Sequence, residues 1–121
     1  MQKKVLIVDD EDDVRLFLAD FLSERDFKVE TASNGFQALE KVKAGTFDLV
    51  LLDVLMPEMD GLECLENIKK ISPKTIVIMI TAMKDEARMQ KAEKLGASKY
   101  IIKPFSLTYL ETALAEVMDP Q

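Results

Sequence analysis

The stretch Phe47 to Leu65, FDLVLLDVLMPEMDGLECL, decides how the rest of this chain is read. Leu49 to Leu52 is a short, unbroken apolar run, the pattern of a strand covered on both faces in a parallel sheet. Asp53 ends the run where another Val or Leu would continue it. A carboxylate buried without a partner is costly, so such a residue is paired, protonated or metal-bound. Open parallel sheets take their ligands in the crevice at the carboxyl ends of the strands. Asp53 therefore marks a site, and its neighbours should come from the ends of other strands. Beyond it, Pro57 belongs to a loop, and Asp60 followed by Gly61 reads as a helix N-cap. Cys64, Leu65, Ile68 and Ile71 share one face of that helix, which makes the cysteine a packing residue.

Working outward, Val5 to Val8 is a second buried strand, and it runs into Asp9-Asp10-Glu11-Asp12-Asp13. Glu11, Asp12 and Asp13 suit the positive end of a helix dipole, whereas Asp9 and Asp10 occupy the strand exit that Asp53 occupies on its own strand. The following helix carries Val14, Phe17, Leu18, Phe21 and Leu22, a core-facing stripe. Phe27 to Ala32 alternates as a strand. Ser33 or Asn34 then caps a helix bearing Ala38, Leu39 and Val42, which Gly45 ends.

On the other side, Thr75 to Ile80 is a buried strand ending at Thr81. The helix over roughly Asp85 to Leu95 offers only Ala87, Met89, Ala92 and Leu95 as apolar residues, so it should be weakly held. Gly96 stops it, and Lys99 to Ile102 forms a short last strand that exits at Lys103-Pro104. The final helix packs through Leu107, Leu110, Leu114 and Val117. Strand and helix thus alternate five times, which predicts a parallel sheet with helices on both faces.

Composition narrows the function. With 121 residues, 48 % of them apolar, the chain should form one domain, residues 1–121, with a substantial core. A net charge of −6 argues against direct nucleic-acid binding. The single cysteine excludes an internal disulfide and fits a reducing compartment. The absence of histidine removes the commonest general base and transition-metal ligand, leaving oxygen donors and a hard cation. The apolar runs are too short for a signal peptide or a membrane span, so a cytoplasmic location is expected.

The out-of-place polar residues, Asp9, Asp10, Asp53, Thr81 and Lys103, all lie at strand exits. If the first and third strands are neighbours, three carboxylates converge, and their repulsion calls for a cation. Mg²⁺ fits, because it accepts one or two carboxylates and keeps several waters. Lys103 offers a point charge for phosphate and Thr81 a hydroxyl donor. Together they describe a phosphoryl site beside a carboxylate nucleophile.

The strings VLIVDDE, DLVLLDVLMPEMDGLE, ITA and YIIKPF, in this order, closely resemble the signature of bacterial two-component response-regulator receiver domains. The resemblance covers essentially the whole chain. It implies a flavodoxin-like fold with strand order 2-1-3-4-5 and a cis bond before Pro104. It also implies Asp53 as phosphoacceptor, with Mg²⁺ ligated by Asp10, Asp53 and the backbone carbonyl of Leu55, and by Asp9 through a water. Thr81 and Lys103 are implied to bind the phosphoryl oxygens, and Thr81 and Tyr100 to form the switch. The phosphodonor is then a sensor histidine kinase or a histidine phosphotransfer protein, acting in trans because this chain has no histidine. The implied output is an effector on the surface of the last two helices and the strand between them. The protein is implied to be a monomer or a phosphorylation-dependent dimer, and a signalling domain rather than an enzyme. The Asp119-Pro120-Gln121 ending suits either a stand-alone receiver or the N-terminal receiver of a longer regulator.

Rival readings each lack a residue. A phosphatase that forms an aspartyl phosphate places a second acid two residues after the nucleophile, where this chain has Leu55. A flavin-binding electron carrier needs a Ser/Thr-rich phosphate loop after the first strand, where this chain has five acids. A receiver-like module that is never phosphorylated has no need of the full set Asp10, Asp53, Thr81 and Lys103.

Overall fold

The structure, a computed structural model, describes residues 2–118, so the Asp119–Gln121 ending lies outside the described residues. The elements are β1 (Lys3–Val8), α1 (Asp12–Ser23), β2 (Phe27–Ala32), α2 (Gly35–Ala44), β3 (Leu49–Leu52), α3 (Gly61–Ile71), β4 (Ile76–Thr81), α4 (Glu86–Lys94), β5 (Lys99–Ile102) and α5 (Leu107–Met118). All five strands are parallel, in the order β2-β1-β3-β4-β5. β1 and β3 are therefore neighbours, with Val8 opposite Leu52.

The unbroken apolar runs follow from burial on both sides. Successive strand residues point to opposite faces, and each face meets helices. Leu6, Val8, Val50, Leu52, Val77 and Met79 join α2, α3 and α4 through Ala38, Val42, Cys64, Leu65, Ile68 and Ala92. Val5, Ile7, Leu49, Leu51, Ile78 and Ile80 join α1 and α5 through Leu18, Phe21, Leu22, Leu110 and Leu114. Cys64 is fully buried, and burial pushes its thiol up to about 12, so it packs and does not react.

Three expected core positions are not in the core. Phe17 is 52 % exposed, and Ile71 and Leu107 are each 38 % exposed. Helical spacing identifies a stripe but not its centre. The α1 contact centres on Leu18 and Phe21, which puts Phe17 at its edge. Ile71 is the last residue of α3 and Leu107 the first of α5, so both overhang the sheet. β4 also starts one residue later than expected. Thr75 instead buries its hydroxyl, donating to the Phe47 carbonyl at 2.8 Å.

The helix ends follow local chemistry. Asn34 caps α2 by accepting from the Gln37 amide at 2.9 Å, and Asp60 caps α3 by accepting from Glu63 at 3.0 Å. Asp85 caps α4 by accepting from Ala87 and Arg88. α4 buries only Ala92, the thin anchoring expected for it. The Lys103–Pro104 bond is cis.

Candidate functional site at the carboxyl ends of β1, β3, β4 and β5

Hydrogen bonding continues one residue past the strand ends, which holds the polar residues rigidly. The Asp9 amide donates to Ala32, the Asp53 amide to Val8 at 3.0 Å and the Lys103 amide to Thr81 at 2.8 Å. Gly61 permits the next helix to start hard against Asp53. A Cβ there would lie 2.2 Å from the Asp53 carbonyl, and the Gly61 amide donates to Val54 at 2.7 Å.

Asp9, Asp53 and Thr81 are buried, at 3 %, 6 % and 0 % exposure, while Asp10 is exposed. One carboxylate oxygen each from Asp9, Asp10 and Asp53 lies within 4.8 Å of the others. Lys103 Nζ stands among them, 2.8 Å from Asp9 Oδ2 and 3.3 Å from Asp53 Oδ2, with Glu11 at 3.9 Å. The other oxygens accept backbone amides, Asp9 Oδ1 from Glu11 at 2.9 Å and Asp53 Oδ1 from Leu55 at 3.1 Å. Every residue expected at the site is at this end of the sheet. The added finding is that Lys103 already bridges two of the three carboxylates. A second cationic group is also close. The Arg15 guanidinium donates to the Asp9 carbonyl at 2.6 Å and pairs with Asp12. The residue pattern of α1 alone assigns it no role.

Thr81 Oγ1 accepts the Met83 amide at 3.3 Å, and its hydroxyl proton can be donated to the Asp53 carboxylate. The Tyr100 hydroxyl donates to the Met83 carbonyl at 3.0 Å. Thr81 and Tyr100 thus hold the two sides of one residue in the β4–α4 loop.

Burial raises the Asp53 pKa above the ordinary carboxylate value, and the nearby Asp9 charge adds to it. The Leu55 amide and Lys103 oppose this without cancelling it. Burial works to lower the Lys103 pKa, but its bonds to Asp9 and Asp53 outweigh this and raise it. A carboxyl whose folded pKa is raised binds its proton more tightly in the native state, so stability falls as pH rises from the unfolded value through the folded one. Removing the charge should therefore stabilise the metal-free protein. Lys103 keeps its 2.8 Å bond to Asp9 in such a variant. In EDTA, Asp53→Asn should match native protein near pH 3.5 and exceed it at pH 7 by about 0.5–2 kcal/mol. Urea melts at the two pH values measure this, and a variant less stable at pH 7 would contradict it.

A doubly wound parallel sheet with this strand order and a polar cluster at its strand ends defines a flavodoxin-like α/β domain. Residues 5–115 match the response regulator receiver domain family. The chain is 39 % identical over 118 residues to the chemotaxis protein CheY of Thermotoga maritima, covering 97 % of this chain and 98 % of that one. It is 40 % identical to the transcriptional regulatory protein ZraR of Klebsiella oxytoca, covering 97 % of this chain but 26 % of that longer protein. A solved complex of CheX, CheY, BeF₃ and Mg²⁺ from Borrelia burgdorferi superposes with a TM-score of 0.91 at 33 % identity, covering 96 % of this chain and 89 % of that one.

The chain belongs to the response regulator receiver domain family. Receivers of this family are phosphoacceptor signalling domains of two-component systems, not classical enzymes, and they bind a divalent metal at an acidic cluster of this kind. The donor set fits such an ion, since the three converging groups are all carboxylates. Among the described residues, no helix is long and apolar enough to cross a membrane.

Proposed function

We propose that residues 1–121 act as one receiver domain in which Asp53 takes a phosphoryl group from the phosphohistidine of a sensor kinase or a histidine phosphotransfer protein. One observation carries the reading: a buried carboxylate ends the central strand, with two more carboxylates in reach and a lysine ammonium 3.3 Å away. Asp53 forms a P–O bond as the donor's P–N bond breaks, and the imidazole leaves with the electron pair. Asp10, Asp53 and the Leu55 carbonyl are the proposed ligands of Mg²⁺, which when bound supplies charge neutralisation for the phosphoryl oxygens. Asp9 has both oxygens engaged, by Glu11 and Lys103, which suits it to act through a water. Lys103 and the Thr81 hydroxyl then receive the phosphoryl oxygens. The domain catalyses only this transfer and its own slow dephosphorylation.

The exposed Phe17 supports a docking site for the donor. It lines a largely apolar groove with Val14, Pro104 and Phe105 that reaches Lys103. A helix presenting phosphohistidine there would place its phosphorus over the strand ends. Phe17→Asp should slow transfer from the cognate donor by about 10-fold or more, the loss of a buried aromatic anchor. Labelling by acetyl phosphate should be unchanged. Equal slowing with both donors would remove the docking role.

For output, both grips on Met83 matter. Thr81 moving toward the phosphoryl group pulls on the loop that Tyr100 also holds, and α4 resists little. Within the face of α4, β5 and α5, α4 and β5 enclose an open groove of about 520 Å³ lined by Glu86, Met89, Ala92, Lys99 and Tyr100, a place for an effector. We propose action in the cytoplasm as a monomer or phosphorylation-dependent dimer, without direct nucleic-acid contact. Amide exchange with and without beryllofluoride and Mg²⁺ tests the switch. Changes should concentrate in α4, β5 and α5, and a change confined to β2 and α2 would contradict it.

A further inference from the structure

The carboxylate of Asp10 differs from its two neighbours. Asp9 and Asp53 are buried and each accepts both an amide and the Lys103 ammonium. Asp10 is exposed, and among the described residues its side chain takes part in no hydrogen bond or ion pair. Its direction is therefore set by the backbone that carries it. Arg15 holds that backbone. Its Nη1 donates at 2.6 Å to the Asp9 carbonyl, which belongs to the same peptide plane as the Asp10 amide. Its Nη2 pairs with Asp12, and its own amide donates to the Glu11 carbonyl at 3.2 Å. Three contacts from one residue, to Asp9, Glu11 and Asp12, thus bracket Asp10. The Arg15 side chain is 17 % exposed but that of Asp12 is 90 % exposed, so the part-buried bond to the Asp9 carbonyl, not the Asp12 pair, is the sheltered arm of the fork. A planar guanidinium can hold both acceptors at once, which an ammonium cannot do in the same geometry.

We propose that Arg15 is a positioning residue for the divalent-cation site: it locks the Asp9–Asp10 peptide so that the Asp10 carboxylate faces Asp53. The inference rests on the metal reading given above. Arg15 touches neither the phosphoryl group nor a metal ligand's carboxylate. Its charge alone would disfavour a cation nearby, so the two effects have opposite signs and can be separated. Outer groups that orient metal ligands typically affect affinity by 10–100-fold.

Mg²⁺ is titrated into metal-free native protein, Arg15→Gln, Arg15→Lys and Asp53→Asn, following the amide shifts of Asp53 and Leu55. Positioning predicts that both Arg15 variants bind Mg²⁺ about 10-fold more weakly. In EDTA, amide exchange at Glu11 should also speed up in both, because the Asp9 turn is loosened. If charge is all that matters, Arg15→Gln binds more tightly and Arg15→Lys is unchanged, which overturns the proposal. Native affinity in both Arg15 variants overturns it too. Arg15→Lys keeps the charge and a helix-compatible stem, so it decides the matter if Arg15→Gln does not fold. A native protein that binds no Mg²⁺, or an Asp53→Asn that binds it as well as native, refutes the underlying metal reading instead.

Discussion

Phosphate should leave Asp53 about 10²-fold faster in a Leu55→Asn, Met83→Glu double variant than in native protein, the lower part of the range for positioned proton-transfer groups. An aspartyl phosphate is lost when water attacks phosphorus in line, opposite the carboxylate oxygen, and that water must be held. The residues two past Asp53 and two past Thr81 are tied to the site by their own backbones. The Leu55 amide donates to Asp53, and the Met83 amide donates to Thr81. Their side chains are apolar and can neither accept nor donate a useful hydrogen bond. Leu55 is 45 % exposed, so a polar replacement there costs little core packing. Native protein should then keep its phosphate for long periods and suit a slow response or a partner phosphatase. Equal decay in the two proteins would show that Leu55 and Met83 only pack in their loops and that the metal alone sets hydrolysis.

Much of this site is legible from residue order because it breaks a strong local rule. A charge at the end of an unbroken apolar strand stands out, and the parallel topology sends every such residue to the same end of the sheet. The limits were also physical. Spacing along α1 marks Phe17 as apolar but cannot tell the centre of the stripe from its edge, and that difference makes it groove lining instead of core. The Lys103 bridge joins residues 94 and 50 positions apart, a contact that exists only once β5 lies two strands from β3. Arg15 was invisible for a related reason. Its partner is a backbone carbonyl, which leaves no trace in side-chain chemistry.

The second large effect concerns the nucleophile itself. Asp9 and Asp10 are also carboxylates at the same end of the sheet, so acidity alone does not select Asp53. Engagement and accessibility do. Asp9 has both oxygens taken, one by the Glu11 amide and the other by Lys103 at 2.8 Å. Among the described residues, none donates a hydrogen bond to the Asp10 side chain. Asp53 lies beside both Lys103 and Thr81, and the longer 3.3 Å contact leaves Lys103 room to turn to a phosphoryl oxygen. Transfer should need Mg²⁺, because the phosphoryl oxygens would otherwise enter a cluster of three carboxylates with one ammonium to offset them. The deciding measurement is intact-mass spectrometry after incubation with acetyl phosphate. Native protein in Mg²⁺ should gain one phosphate, and native protein in EDTA and Asp53→Asn in Mg²⁺ should gain none. Equal labelling of native and Asp53→Asn, or undiminished labelling in EDTA, would contradict the assignment of Asp53 as the metal-dependent phosphoacceptor.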